Sequence, residues 1–161
     1  IYQGKPYDLA KTTEEFEKMI EEDGLIEHAK YVNHYYGTPR KYVEDKLANG
    51  IDVILEIEIQ GALQIKEQYK DAVLLFITPP SADELEKRLR GRGTETDEVT
   101  RKRLGRAKEE SVGIEKYDYI VVNDKLDECV ENVHRIISAA HCSPERNIEF
   151  IDDIRKQLEK Y

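Results

Sequence analysis

Two carboxylates interrupt an apolar run at residues 52–61, DVILEIEIQG, where Glu56 and Glu58 stand among Val53, Ile54, Leu55, Ile57 and Ile59. Such a run has the composition of a buried parallel strand. Open α/β sheets bind ligands at the carboxyl ends of their strands, so acids placed there are expected to open into a crevice. The alternative is an edge strand, in which period-two alternation sets both glutamates on one solvated face. Glu27 interrupts LIEHA in the same manner. A carboxylate accepts two hydrogen bonds side by side. Guanine offers its ring N1–H and exocyclic amino group as adjacent donors, so an acid in a small pocket could prefer guanine to adenine. Taken singly, a glutamate near a strand end is more often a surface residue.

A second group of residues is cationic. Arg88 and Arg92, at i and i+4, share a face if their helix reaches that far, and Arg103 and Arg106 pair similarly on the next helix. Surface ion pairs with Glu84, Glu86, Asp97 and Glu98 would account for such charges at about 0 to 1 kcal/mol each. Gly91 and Gly93 around Arg92 add a hinge that a plain charged face does not need. A hinged arginine cluster suits a transferring phosphoryl group. In HYYGTPR, the phenols of Tyr35 and Tyr36 and the hydroxyl of Thr38 come together where a helix is expected to begin, and helix N-termini favour anions such as a phosphate monoester. Buried or surface aromatics are the plainer reading of the tyrosines. His28, His34, His134 and His141 lack metal-ligand spacing.

These groups need elements to hold them. The chain has 161 residues, 39% hydrophobic and 37% charged, as expected of one globular domain. A net charge of -9 argues against a general nucleic-acid or anionic-membrane binder, so any anion must be met by a local basic cluster. Cys129 and Cys142 lack metal spacing and no signal or transmembrane run is seen, which fits reduced thiols in a cytoplasmic protein. Thr12 and Glu15 form a capping box for a helix running to Gly24. LIEHAKYV alternates like a strand. TPRKYVEDKLANG reads as a helix with Thr38 as N-cap, Pro39 at its first position and Gly50 closing it. After the strand at 52–61 come a helix from 61 to about 69, a buried strand AVLLFI, and a helix from 82 to about 90. GRGTETDE is a loop before a helix over about 97–111. DYIVVN is a short buried strand, and Leu126, Val130, Val133 and Ile137 form a helical stripe that covers the sheet. A polar amphipathic helix through Ile148, Ile151, Ile154 and Leu158 ends the chain. Alternating strands and helices imply an α/β architecture with a largely parallel sheet.

In this order and spacing, LIEHA, YYGT, DVILEIEIQGA, FITPPS, LEKRLRGRGTETDE, RKRL and YIVVND resemble the guanylate kinase family over residues 4 to about 140. The resemblance implies an α/β P-loop NTPase-type three-layer sandwich with a parallel central sheet, carrying a GMP-binding lobe at about 7–50 and an Arg-rich lid at about 91–103. A C-terminal helix at about 144–161 lies outside the match. It implies transfer of the γ-phosphoryl of ATP to GMP or dGMP, giving ADP and GDP, with Mg2+ accompanying ATP. By motif, Glu27 and Glu58 resemble the guanine contacts, and Tyr7, Tyr36 and Thr38 the contacts to the GMP phosphate. Glu56 resembles the acid near magnesium and the reacting phosphates, with no direct metal ligand assigned. Arg88, Arg92 and Arg103 resemble the arginines that close on the phosphoryl groups, and Asn123 a residue beside the ATP base. Glu58 stands where aspartate is usual. The Gly-rich phosphate loop does not occur in these residues. The chain is therefore expected to be the body of a longer protein, inactive when alone. The alternative is a catalytically inactive guanylate kinase-like module that binds phosphopeptides. Retention of Arg88, Arg92 and Arg103 favours the kinase, and the oligomeric state stays open.

Overall fold

The computed structural model describes residues 12–31, 34–91 and 96–161, so the expectations for Tyr7, Arg92 and Gly93 lie outside the described residues. The chain divides into two compact units, one within residues 1–68 and one within 69–161.

The first unit opens with helix α1, Thr13–Glu21. Its capping box forms as expected: the Glu15 N–H donates to Thr12 Oγ1 at 3.2 Å, and the Thr12 N–H donates to Glu15 Oε2 at 3.0 Å. The helix stops earlier than Gly24 because Asp23 takes the left-handed turn at φ 53°. Gly24 N–H then reaches back to the Met19 carbonyl at 2.8 Å, closing the terminal carbonyls.

Strand β1, Leu25–Tyr31, pairs antiparallel with β2, His34–Pro39. The register slips between Leu25 and Glu27, so Leu25 faces Pro39 while Glu27 faces Thr38. An extra residue in one strand breaks period-two alternation. Because α1, α2 and α3 also pack on β1, Leu25, Ile26 and Glu27 are all buried, at 5%, 1% and 5% exposure. Helix α2, Arg40–Ala48, begins one residue later than expected, with Pro39 rather than Thr38 at its cap. Thr38 stays in the β-ladder, drawn there by its pairing with Glu27. Gly50 closes the helix at φ 69°, as its position in the sequence suggested.

Residues 51–58 correct the central-strand expectation. A strand exists through N–H···O=C bonds to a neighbouring backbone, and among the described residues this segment joins no ladder. Its alternation survives: Val53, Leu55 and Ile57 are half-buried, whereas Ile54, Glu56 and Glu58 are exposed. That is the exposure pattern of the one-face-solvated alternative. Helix α3, Ile59–Gln68, then starts earlier than Gly61, its first turn joined by the Ala62 N–H donating to the Glu58 carbonyl at 2.9 Å. Leu25, Ile26, Val43, Ala62 and Ile65 form the unit's core.

In the second unit, β3, Leu75–Thr78, runs parallel to β4, Tyr119–Val122, in unbroken register. Between them lie helices α4, Ala82–Gly91, and α5, Asp97–Ser111, the latter capped by Thr96. A crossover of this kind is what a parallel pair requires. Helix α6, Leu126–His141, follows β4. Its buried anchor is Cys129, whereas Leu126 and Val130 are 68% and 50% exposed, so the expected stripe is rotated. Val130 lies about 100° round the helix from Cys129, enough to leave the covered face. Helix α7, Ile148–Leu158, forms the expected amphipathic tail. Among the described residues no helix is long and apolar enough to cross a membrane.

Candidate functional site

In the first unit the chemistry centres on Glu27. Burying a carboxylate is costly unless its oxygens find donors. Thr38, directly opposite across the hairpin, supplies one: its hydroxyl donates to Glu27 Oε1 at 2.6 Å. A carboxylate has about four acceptor positions, so a single hydroxyl leaves capacity on Oε2 for further donors. Oε2 lies against the first turn of α3, where a Cβ on Gly61 would come within 2.8 Å of it. Glu58 immediately precedes that turn. Glu27 thus abuts the N-terminus of the helix that Glu58 precedes, and the N–H groups and dipole of such a terminus favour negative charge.

Tyr36 is opposite Ala29 and shares the face of β2 that carries Thr38. At 58% exposure its ring is open to solvent. The hairpin therefore brings together Glu27, Tyr36 and Thr38, three of the residues singled out from sequence. Thr38 lies in strand just ahead of the N-terminus of α2 rather than capping it, and its hydroxyl faces the acid. Glu56 is exposed on the 51–58 segment. Tyr35 does something else: its ring stacks on Phe16 at 5.2 Å and its hydroxyl donates to Glu17 at 3.0 Å, fastening α1 to the hairpin.

Sequence reasoning missed the residues of α3 that hold β1. Gln64 accepts from the His28 N–H at 3.2 Å and donates to the His28 carbonyl at 3.3 Å. Gln68 donates to the Ile26 carbonyl at 2.8 Å. The available signal was the spacing of Gly61, Gln64 and Gln68, which lie on one helical face. Arg40 adds a fastening at the base, donating to the Asp23 carboxylate at 2.8 Å, the Leu25 carbonyl at 3.1 Å and Gln68 at 2.9 Å.

The second unit gathers Arg88 and Asn123. Arg88 donates through Nη1 to the Asn123 carbonyl at 2.6 Å and through Nε to Glu84 at 2.8 Å. The bond from Arg88 holds the Glu84 carboxyl below its ordinary range, with Lys87 adding to it. Thr78, Pro79, Leu85 and Leu89 complete an open cleft around this pair. Arg90 bridges Glu86 and Asp97, which keeps its guanidinium more firmly protonated than usual. The surface ion-pair reading thus holds for Arg88 through Glu84, and the expected acids Glu86 and Asp97 pair with Arg90 instead. It also describes Arg106, which pairs with Glu110 at 3.0 Å. Arg103 is exposed on α5. Among the described residues, no three His, Cys, Asp or Glu side chains gather in a way that could hold a metal ion.

Comparison with known proteins agrees with this mixed α/β arrangement. The guanylate kinase family model matches residues 2–140. The chain is 52% identical to a guanylate kinase of Oceanobacillus iheyensis over 136 residues, covering 84% of this chain and 66% of that protein. It is 49% identical to a guanylate kinase of Streptococcus agalactiae over 150 residues, 93% of this chain and 72% of that protein. The chain thus spans about two thirds of the length of the curated relatives it matches. The crystal structure of guanylate kinase from Anaplasma phagocytophilum superposes with a TM-score of 0.71 at 31% identity, covering 90% of this chain and 71% of that one. A family match running through the hairpin, α3, the arginine-bearing helices and β4, joined to a structural match over 90% of the chain, shows that the chain belongs to the guanylate kinase family.

Proposed function

We propose that the protein transfers the γ-phosphoryl group of ATP to GMP or dGMP, giving ADP and GDP. The observation that carries this reading is the buried Glu27 carboxylate, tied by Thr38 and left with acceptor capacity beside the first turn of α3. An acceptor in that setting suits the N1–H and amino group of guanine. Adenine presents a bare N1 there, which would set lone pairs against the carboxylate. Glu58, from the start of α3, is the second base acceptor. Tyr36, exposed on the same face of the hairpin, and Tyr7 are the contacts to the nucleotide's own phosphate.

Arg88, Arg92 and Arg103 supply positive charge to the transferring phosphoryl group, where electrostatic stabilisation carries most of the catalysis. Arg88 is already oriented, its guanidinium held between Glu84 and the end of β4. Asn123 stands beside the ATP base. Magnesium arrives with ATP: such ions commonly use one or two carboxylates, with phosphates and water completing the shell. Glu56, exposed and unclustered, suits the part of that lone acid. The parallel β3–β4 pair with its helical crossover supports membership of the P-loop NTPase-type three-layer architecture. Residues 91–103 form the lid, and the free thiols of Cys129 and Cys142 fit a cytoplasmic setting.

Incubation of the protein in its natural full-length form with ATP, magnesium and GMP should yield ADP and GDP. Absence of turnover above background would sink the proposal. GMP or phosphopeptide binding without turnover would point instead to the inactive binding module.

A further inference from the structure

The face of α3 that meets β1 carries Gly61, Gln64 and Gln68. Gly61 is the point of closest approach: a Cβ there would stand 2.8 Å from Glu27 Oε2, 3.4 Å from Glu27 Cδ and 3.4 Å from Ile57 Cδ1. Side-chain ends ordinarily swing away from such a clash. This one is 5% exposed and its other oxygen is bound to Thr38 at 2.6 Å, so it has nowhere inexpensive to go. Gln64 fixes the backbone on which Glu27 hangs. Its amide donates to and accepts from His28, as a neighbouring strand would. Gln68 holds Ile26 on the other side of Glu27.

We propose that Gly61 and Gln64 are positioning residues for base recognition. The missing side chain of Gly61 lets the helix N-terminus reach the Glu27 carboxylate, and Gln64 sets the strand position from which that carboxylate is presented. The proposal rests on Glu27 being a guanine acceptor. Neither residue touches the reacting atoms, so their loss should appear in KM for GMP and in base preference rather than in kcat.

The test is a double-mutant cycle read by kinetics and by thermal melting. Gly61→Ala should raise KM for GMP at least about tenfold and narrow the GMP-to-AMP preference, with KM for ATP and kcat at saturating GMP within about twofold of the parent. Glu27→Ala makes room for the new methyl group, so Gly61→Ala added to it should cost no further GMP use. In that background it should raise the melting temperature, since alanine favours helix over glycine, whereas alone it should lower it. Gly105→Ala, on α5 with nothing within 4 Å of its added Cβ, is the control and should raise the melting temperature with KM for GMP unchanged. Gln64→Met, of similar size but without the amide, should also raise KM for GMP selectively. Additive melting effects of Gly61→Ala and Glu27→Ala would remove the Gly61 contact. Coupled melting with GMP use unchanged in Glu27→Gln would instead remove the base-reading role of Glu27, and with it the recognition role of Gly61. An unchanged KM for GMP in Gln64→Met would remove Gln64 from the proposal.

Discussion

The acid of the hairpin and the arginine of α4 are held in opposite ways. Glu27 is buried at 5% exposure and touches three elements: its own strand, Thr38 across the hairpin, and the first turn of α3. Arg88 is 37% exposed along its side chain and is steadied by one neighbour a helical turn away and one backbone carbonyl. A buried acceptor discriminates because a wrong ligand leaves it unpaired in a medium that cannot compensate. A half-exposed cation whose orientation is already set by two hydrogen bonds offers fixed positive charge, which suits a transferring group. Selectivity is therefore expected to reside in the first unit, and rate in the second.

That contrast can be tested by removing each group in turn. Arg88→Ala should lower kcat the most, by about 100- to 1000-fold as for loss of one transition-state donor, while KM for GMP stays near the parent value. A raised KM for GMP with normal kcat would reverse the assignment. Glu27→Gln should weaken GMP use at least about tenfold and narrow the GMP-to-AMP ratio, leaving KM for ATP little changed. Steady-state kinetics with both acceptors decides this, and an unchanged ratio in both Glu27→Gln and Glu58→Gln would withdraw the base-reading role. Thr38→Val keeps the shape but removes the donor to a buried carboxylate, so denaturant unfolding should show a loss of about 1 to 3 kcal/mol. No loss would mean that water or another donor replaces the hydroxyl.

The smallest effect is expected at Glu84. Its carboxyl is depressed by Arg88, so the contribution of this pair is present above the ordinary carboxylate range and is lost as pH falls through the depressed value. Parent and Glu84→Gln should therefore differ slightly in melting temperature at neutral pH and converge at acid pH. Because the pair is only half-buried, high salt should shrink the difference further. A difference that grows on acidification would exclude the depressed carboxylate as its source.

Much of the local structure was legible from neighbouring residues. The Thr12–Glu15 capping box, the closure of α2 at Gly50 and the extent of α4 and α5 each depend on contacts within a few residues along the chain. The motifs that carry the family resemblance were likewise readable, since they are strings of residue types. Where expectation and structure parted, a longer-range partner decided. Thr38 looked like a helix cap until the register of the hairpin set it opposite Glu27, where a charged acceptor and a ladder position outweighed the cap. Residues 51–58 have the composition of a strand, but a strand is made by its neighbour's backbone, and among the described residues none pairs with them. The stripe on α6 was visible as a period, yet which part of it is covered depends on rotation about the helix axis, which Cys129 fixes by packing.

Glu27 combines both cases. Its acidity and its place within an apolar strand are written in the residue types of LIEHA. Its burial is not, because alternation would have exposed one of Leu25, Ile26 and Glu27. The helices packed on β1, together with its slipped register, bury all three. Nor does the sequence order show that Gly61, far along the chain, leaves the space in which the carboxylate sits. Residue types determine which groups can ionise, donate and accept. Which of them is desolvated, and which faces which, follows from strand register and from the closeness of one helix, and those are settled only when distant segments pack together.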